Sequence, residues 1–411
     1  MLTRSVSLIP AVFALLLLAC ASSPEDKKND PAARKFVLAC PAAILTKLDS
    51  QGKPGEKGKV ILGTLTCDAA AKLDDRGLMK LKRTGVWEAY SQGARIRVEE
   101  YVDGKKDGPE TGYYAEGGLR YQGQNKDDKR TGHWIIKAGL GADCTTEGDY
   151  EADLKVGKWK ECTTQKPFFV LFEGSYVQGL RDGPAVFYGE NGKITSEGSF
   201  RADLACKAAL KPGAKKEEFD ACGKRTGKWT DYHSNGQVYM EGEYDPATGK
   251  EMGTWREFYL SGEKMAMGPR NGDRSGQWTF YDKSGTIIHQ FDFDGNDFMP
   301  KAAVLWKDGR KIGQGKLSMG LCKYDNGKDQ ITATGLIKDG PWIEYHANGQ
   351  KSAEGTYVSN RKDGKWAFYN EAGQKTAEGR LLMEKKDGEW MELENGQMVK
   401  KKYQFGRIAP F

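Results

Sequence analysis

The sequence predicts an all-β chain: an elongated antiparallel sheet of tandem β-hairpin repeats of about 23–26 residues, with a small N-terminal cap and a short, partly helical insertion. Three observations predict it. The first is the recurrence of G-x-W behind a basic residue, as in RTGVW (83–87), RTGHW (130–134), KVGKW (155–159), RTGKW (225–229), RSGQW (274–278) and KDGKW (362–366). Nine of the ten tryptophans occupy that slot, and only Trp306 does not. The second is an alternation of two turn signals, Asn-Gly and Lys-Asp-Gly or Arg-Thr-Gly, residues that tolerate positive φ. The third is the composition of the stretches between them, five to eight residues rich in Trp, Tyr, Phe, Thr and Val, which are strand lengths and strand residues.

The elements follow in order. Arg4 and an apolar run over 9–19 form a signal peptide (1–19), too short and too near the start for a spanning helix. It ends in LLAC (17–20), which resembles a bacterial lipobox, so Cys20 is the candidate lipidation site and the chain an exported, membrane-anchored lipoprotein. Ala21 stands where an inner-membrane retention signal has Asp, which implies the outer membrane, with the leaflet open. Residues 20–35 are polar and read as a flexible tether reaching roughly 20 Å by random-coil scaling.

Residues 36–80 are a β cap, because arrays need their ends closed. FVLAC (36–40) and KVILGTLTC (59–67) are its strands, and Cys40 with Cys67 a candidate staple. Repeats fill 81–285. Within them Cys144 and Cys162 lie about equally far from the intervening turn, as a cross-strand disulfide needs. Residues 201–224 interrupt the array with some helical character, and Cys206 with Cys222 closes the insertion, a constraint of about 3 kcal/mol in the loop-entropy model. Residues 286–337 hold Trp306 and Cys322, the candidate unpaired thiol, and read as degenerate repeats or a small inserted unit. Repeats and a C-terminal cap complete 338–411.

Within one repeat, alternation puts Trp366 and Phe368 on one face and Tyr369 on the other. The tryptophans then line one face at every second strand. Trp229, Trp255, Trp278, Trp342, Trp366 and Trp390 are the candidate binding face, with exposed rings as anchors. Glycines in the Glu-Gly pairs, such as Gly198, Gly242, Gly355 and Gly379, sit inside strands and mark the close approach of an aromatic ring from the adjacent strand.

These residues resemble the MORN repeat, and more closely its bacterial variant in YwqK-type antitoxin-repeat proteins. Gly242, Tyr244, Gly253, Trp255 and Tyr259 carry the pattern in one unit, and Glu354, Gly355, Tyr357, Gly364, Trp366 and Tyr369 in another. The resemblance implies successive hairpins and a binding or scaffolding role, and it brings no catalytic set. Choline-binding wall repeats share G-x-W-x-x-Y but lack the regular E-G-x-Y segment.

Composition narrows the function. Mean hydropathy is −0.67. The 63 basic and 57 acidic residues make a mixed surface, not the basic face of a nucleic-acid binder. No cofactor or metal motif is present: DFDGND (292–297) lacks the glycine and glutamate of a calcium loop, and no cysteine pair has zinc spacing. His233 and His346 share one repeat slot and read as structural. The basic column, Arg83 through Lys386, is either an anion-attracting stripe or a set of solvated turns. The expectation is a non-enzymatic envelope scaffold for a protein partner. The alternatives are an antitoxin or immunity protein binding a toxin, and a wall- or glycan-binding module that uses the aromatic face.

Overall fold

The structure is a computed structural model that describes residues 36–40, 42–61, 65, 67–210, 215, 218, 221–295, 299–325 and 330–410. The signal peptide, Cys20 and the tether lie outside the described residues, as does the side chain of Cys322. The chain divides into two compact units, one up to Leu119 plus Asn125–Asp128, the other Arg120–Gln124 plus Lys129–Phe411.

In the first unit, β1 (Phe36–Ala39), β2 (Ile44–Leu48), β3 (Pro54–Ile61), β4 (Lys82–Ser91), β5 (Ala94–Val102) and β6 (Lys105–Tyr113) pair antiparallel, each with the next. The expected strand over 59–67 ends at Ile61; Cys67 instead opens α1 (Cys67–Ala71), followed by α2 (Asp75–Met79). Asp74 caps α2, its carboxylate accepting the Gly77 N–H at 2.8 Å. Ala70 and Leu78 are fully buried beside Phe36, Leu38, Val60, Trp87 and Tyr101, and Cys40 and Cys67 are bonded with Cα atoms 5.7 Å apart.

A strand β7 (Leu119–Lys126) is shared between the units. In the second unit β8 (Lys129–Lys137), β9 (Thr145–Glu151), β10 (Leu154–Cys162), β11 (Val170–Val177), β12 (Leu180–Tyr188) and β13 (Ile194–Ala202) continue as antiparallel hairpins. The insertion follows, with α3 (Leu204–Ala209) capped by Asp203. The sheet resumes at β14 (Gly223–Tyr232), with Ala202 and Gly223 directly opposite each other. Cys144–Cys162 and Cys206–Cys222 are both bonded, with Cα separations of 6.0 and 5.6 Å. Next come β15 (Val238–Tyr244), β16 (Glu251–Phe258), β17 (Lys264–Asn271), β18 (Asp273–Tyr281), β19 (Ile287–Asp294) and β20 (Ala302–Lys307). Two sixteen-residue strands, β21 (Arg310–Asp325) and β22 (Gln330–Tyr345), lead to β23 (Lys351–Val358), β24 (Arg361–Tyr369), β25 (Lys375–Leu382), β26 (Lys385–Glu394), β27 (Gln397–Gln404) and β28 (Arg407–Ile408). This is the predicted all-β array of tandem hairpins.

Of the two turn signals the sequence offers, the Asn-Gly one marks turns and the Lys-Asp-Gly one does not. Lys362-Asp363-Gly364 lies inside β24, not at its end. Gly355 pairs with Trp366 and Thr356 with Asp363, so Gly364 and Lys365 have no partners on β23 and form a bulge with Gly364 at φ 75°. The turn itself is Ser359 and Asn360, at φ 49° and 64°, between the paired residues Val358 and Arg361. Two consecutive positive φ values make it the hairpin turn whose twist matches the strands. Of the Asn-Gly signals among the described residues at 191–192, 235–236, 348–349 and 395–396, only Asn395 and Gly396 form such a tight turn, at φ 48° and 82°. At His346 to Gln350 the loop is longer: the Gly349 N–H donates to the His346 carbonyl, and only Gly349 is left-handed.

Candidate functional site

A repeat is built around a tryptophan lying flat on a strand. Register partners run Trp278, Phe291, Ala303, Gly315, Trp342, Gly355, Trp366, Gly379, Trp390 across the ladder. A methyl group on Gly355 would stand 2.3 Å from the Trp366 indole, and Gly198, Gly242 and Gly379 meet Trp229, Trp255 and Trp390 in the same way. The missing side chains are what let the rings come down onto the backbone. Apart from Trp255, whose indole N–H has no acceptor among the described residues, these rings donate to the carbonyl one residue beyond the glycine: Trp366 to Thr356 at 3.0 Å, Trp390 to Arg380 at 2.9 Å, Trp229 to Ser199 at 3.0 Å. The tyrosines of E-G-x-Y fill the space between tryptophans edge-on, Tyr357 at 5.9 Å from Trp342 and 5.3 Å from Trp366.

The candidate binding face is therefore corrected. Trp229, Trp255, Trp278, Trp342, Trp366 and Trp390 are 0–2% exposed. They are the core of the repeats, and none presents a ring to a partner. The basic column covers them. Lys362 Nζ is 4.6 Å from the Trp366 ring, Arg225 4.2 Å from Trp229, Lys338 4.6 Å from Trp342 and Arg274 4.6 Å from Trp278. Lys362 also pairs with Glu344 at 2.7 Å, and Arg274 with Glu257 at 2.7 Å. The column is thus neither a free anionic-partner stripe nor a set of solvated turns. It is a lid of cations held between aromatic rings and carboxylates. Glu251 breaks the column in sequence, and the structure restores the cation from the next hairpin: Arg270 pairs with Glu251 and lies 5.5 Å from Trp255.

The electrostatics follow from this packing. Burial raises the Glu344 carboxyl, but hydrogen bonds from Lys362 and Tyr357 outweigh it and hold the group below the usual range. Burial and the bond to Glu99 push Tyr101 up to about 12. In the first unit, where Glu110 replaces tryptophan, a buried polar cluster takes over. Glu99 is 3% exposed and meets Lys106 at 2.6 Å; Glu110 accepts from Asn125 at 2.8 Å. Sequence reading missed this cluster, although Glu110 in a tryptophan slot was its signal.

The opposite face carries the second repeat device. Tyr369 donates to Glu354, Tyr188 to Glu173 and Tyr232 to Glu197, joining W-x-x-Y of one strand to E-G of the strand before it. The loop residues are structural too: His346 contacts the Tyr369 carbonyl at 2.7 Å, His233 the Phe258 carbonyl at 3.0 Å, and Asn348 donates to Glu371 at 2.8 Å. No group of three or more His, Cys, Asp or Glu able to hold a metal occurs among the described residues. No helix among them is long and apolar enough to cross a membrane.

What varies is the residue between glycine and tryptophan. It faces away from the tryptophans and is exposed in every copy: Val86, Pro109, His133, Lys158, Pro184, Lys228, Thr254, Gln277, Pro341, Lys365 and Glu389. Across β18 to β23 this face forms a cavity of about 890 Å3 whose lining includes Gln277, Gln290, Gln314, Ile343 and Thr356.

The family comparison finds the repeat in three places. Residues 181–202, 225–245 and 338–359 each match the MORN repeat variant. The chain contains three segments similar to the MORN repeat variant. The three matched segments each run from a basic slot through the turn to the next Glu-Gly strand, which carries Phe200, Tyr244 or Tyr357. No curated protein is significantly similar in sequence. Among solved structures the chain is similar to a Tc holotoxin pore from Photorhabdus luminescens, at 10% identity and a TM-score of 0.17, over 89% of this chain and 20% of that one. The chain thus spans about a fifth of that protein's length.

Proposed function

We propose that this MORN-like chain is a non-enzymatic envelope scaffold, exported, lipidated at Cys20 and held at the outer membrane, whose repeats bind protein partners. One observation carries the binding reading. Most copies keep one inner set (Trp, strand Gly, cation, Tyr), and all present an outward residue that is not fixed, being Val, Pro, His, Lys, Thr, Gln or Glu along the array. The inner set maintains the fold, and the outward row offers a surface whose chemistry changes along the array, as in other solenoid binders. The conspicuous residues are all occupied in packing, which supports a role without catalysis.

Photo-crosslinkers placed at Lys158, Lys228 and Lys365 in intact cells test the reading. Capture of one defined envelope protein supports the scaffold, and a single toxin-like partner points to the immunity role instead. No protein captured from any position refutes both. The insertion supplies a second test. Because Ala202 and Gly223 are register partners, replacing 203–222 by Asn-Gly closes the hairpin with a tight turn. The fold is expected to survive and partner binding to weaken; unchanged binding removes the insertion from the interface.

A further inference from the structure

From the cavity on β18 to β23 we infer a second binding site, for a neutral oligosaccharide, independent of the protein-scaffold reading. Elsewhere on this face the Glu-Gly carboxylates meet tyrosines. Over 277–314 that device is absent. Gln290 and Gln314 lie in the row that Glu354 and Glu378 occupy further on, with Val304 and Ile343 between them. Gln277, Asp292, Ala302, Pro341 and Thr356 form the neighbouring rows. The result is a groove crossing six adjacent strands, about 24 Å at the usual strand spacing, with a volume of about 890 Å3, within the range of small-ligand sites.

The chemistry of the lining selects the ligand. No lysine or arginine lines the groove; Lys311 reaches it only from outside, donating to the Gln314 carboxamide oxygen, and the two lining carboxylates are paired from the rim, Asp292 with Lys301 at 3.5 Å and Glu354 with Lys351 at 2.8 Å. Anions and cations gain nothing there. Three carboxamides and a hydroxyl, separated by apolar side chains, suit a ligand that alternates hydroxyls with apolar ring faces. Gln290 gives one N–H to Thr279 at 3.2 Å and accepts from the Trp306 indole at 3.3 Å. A carboxamide has two donors and two acceptor sites, so one of each remains for a ligand. Trp306, the one tryptophan outside the repeat slot, is half-buried and holds that carboxamide in place. An extended peptide is a poorer fit. The sheet face has its own backbone groups paired in the ladder, and the peptide's would be left with few partners.

Titration calorimetry of the full chain with cellotetraose, laminaritetraose and chitotetraose tests the site. At least one is expected to bind with a Kd below about 1 mM. Gln290→Ala and Gln314→Ala should each weaken it by about tenfold, while Thr230→Ala, on the same face outside the groove, leaves it unchanged. Gln277→Ala, at an exposed position, serves if the other variants do not fold. No binding of any of the three up to about 10 mM, binding indifferent to all the groove variants, or groove-dependent binding of an unstructured Gly-Ser-Asn peptide in their place overturns the proposal. Loss of protein crosslinks with sugar binding retained would refute only the scaffold.

Discussion

Residues 338–403 and residues 286–337 belong to one ladder and use it in opposite ways. In the first stretch Trp342, Trp366 and Trp390 lie on strand glycines, covered by lysines, and the opposite face is closed by glutamate–tyrosine pairs. In the second, Ala303 holds the buried place, at 3% exposure, and the tryptophan is displaced three residues to the half-buried position 306. The opposite face then opens into the groove. The same register supports a packing unit in one stretch and an unfilled surface in the other. What separates them is that Phe291 faces Ala303 and Ala303 faces Gly315 across β19 to β21, where the other stretch alternates tryptophan with glycine.

The largest effect should come from removing the ring. Trp366→Ala leaves a cavity, an orphaned carbonyl and an uncovered lysine, and is expected to destabilise the chain by about 3–5 kcal/mol; Trp306→Ala, at a half-buried site, should cost about 1 kcal/mol. Denaturant unfolding of the two variants measures the contrast, and equal losses would erase the distinction between the stretches. Next is the glycine. Gly355→Ala places a methyl against an indole that cannot retreat and should cost about 3 kcal/mol. Gly349→Ala, at φ 84° with nothing within 4 Å, should cost about 1 kcal/mol through backbone strain alone. A smaller change is expected from the lid: Lys362→Met keeps the aliphatic cover, loses the cation, and should lower stability by about 1 kcal/mol.

The smallest effect is the pH dependence. Tyr369, through its bond to Glu354 and then burial, and Tyr232, through burial and then its bond to Glu197, are pushed up to about 12. A raised folded pKa stabilises fully below the unfolded value, near 10, and the contribution is lost as pH rises towards 12. Thermal midpoints should fall across that window, and Tyr369→Phe should flatten the fall. An unchanged slope would mean the Glu354 bond is not maintained in solution.

Much of this was legible in the sequence. The period, the hairpins, the three disulfides and the ring-over-glycine contact follow from spacing and from where glycine is needed. The bulge at Gly364 and the turn at Ser359 and Asn360 did not, because both demand positive φ and glycine occupies only the bulge. Burial of the tryptophans was also hidden. Alternation tells which side a residue faces, and says nothing of the lysine stems and tyrosine edges that cover that side. The groove depends on residues from six strands coming into register, which no local pattern reports.

The central claim is that the repeat tryptophans are core and Trp306 is not. Oxidation of the native chain by N-bromosuccinimide, mapped by peptide mass spectrometry, tests it most directly. Modification of Trp306 ahead of the nine buried tryptophans is the expected result. Oxidation of Trp229, Trp255, Trp278, Trp342, Trp366 and Trp390 as fast as Trp306 would contradict it and restore the aromatics as a contact face.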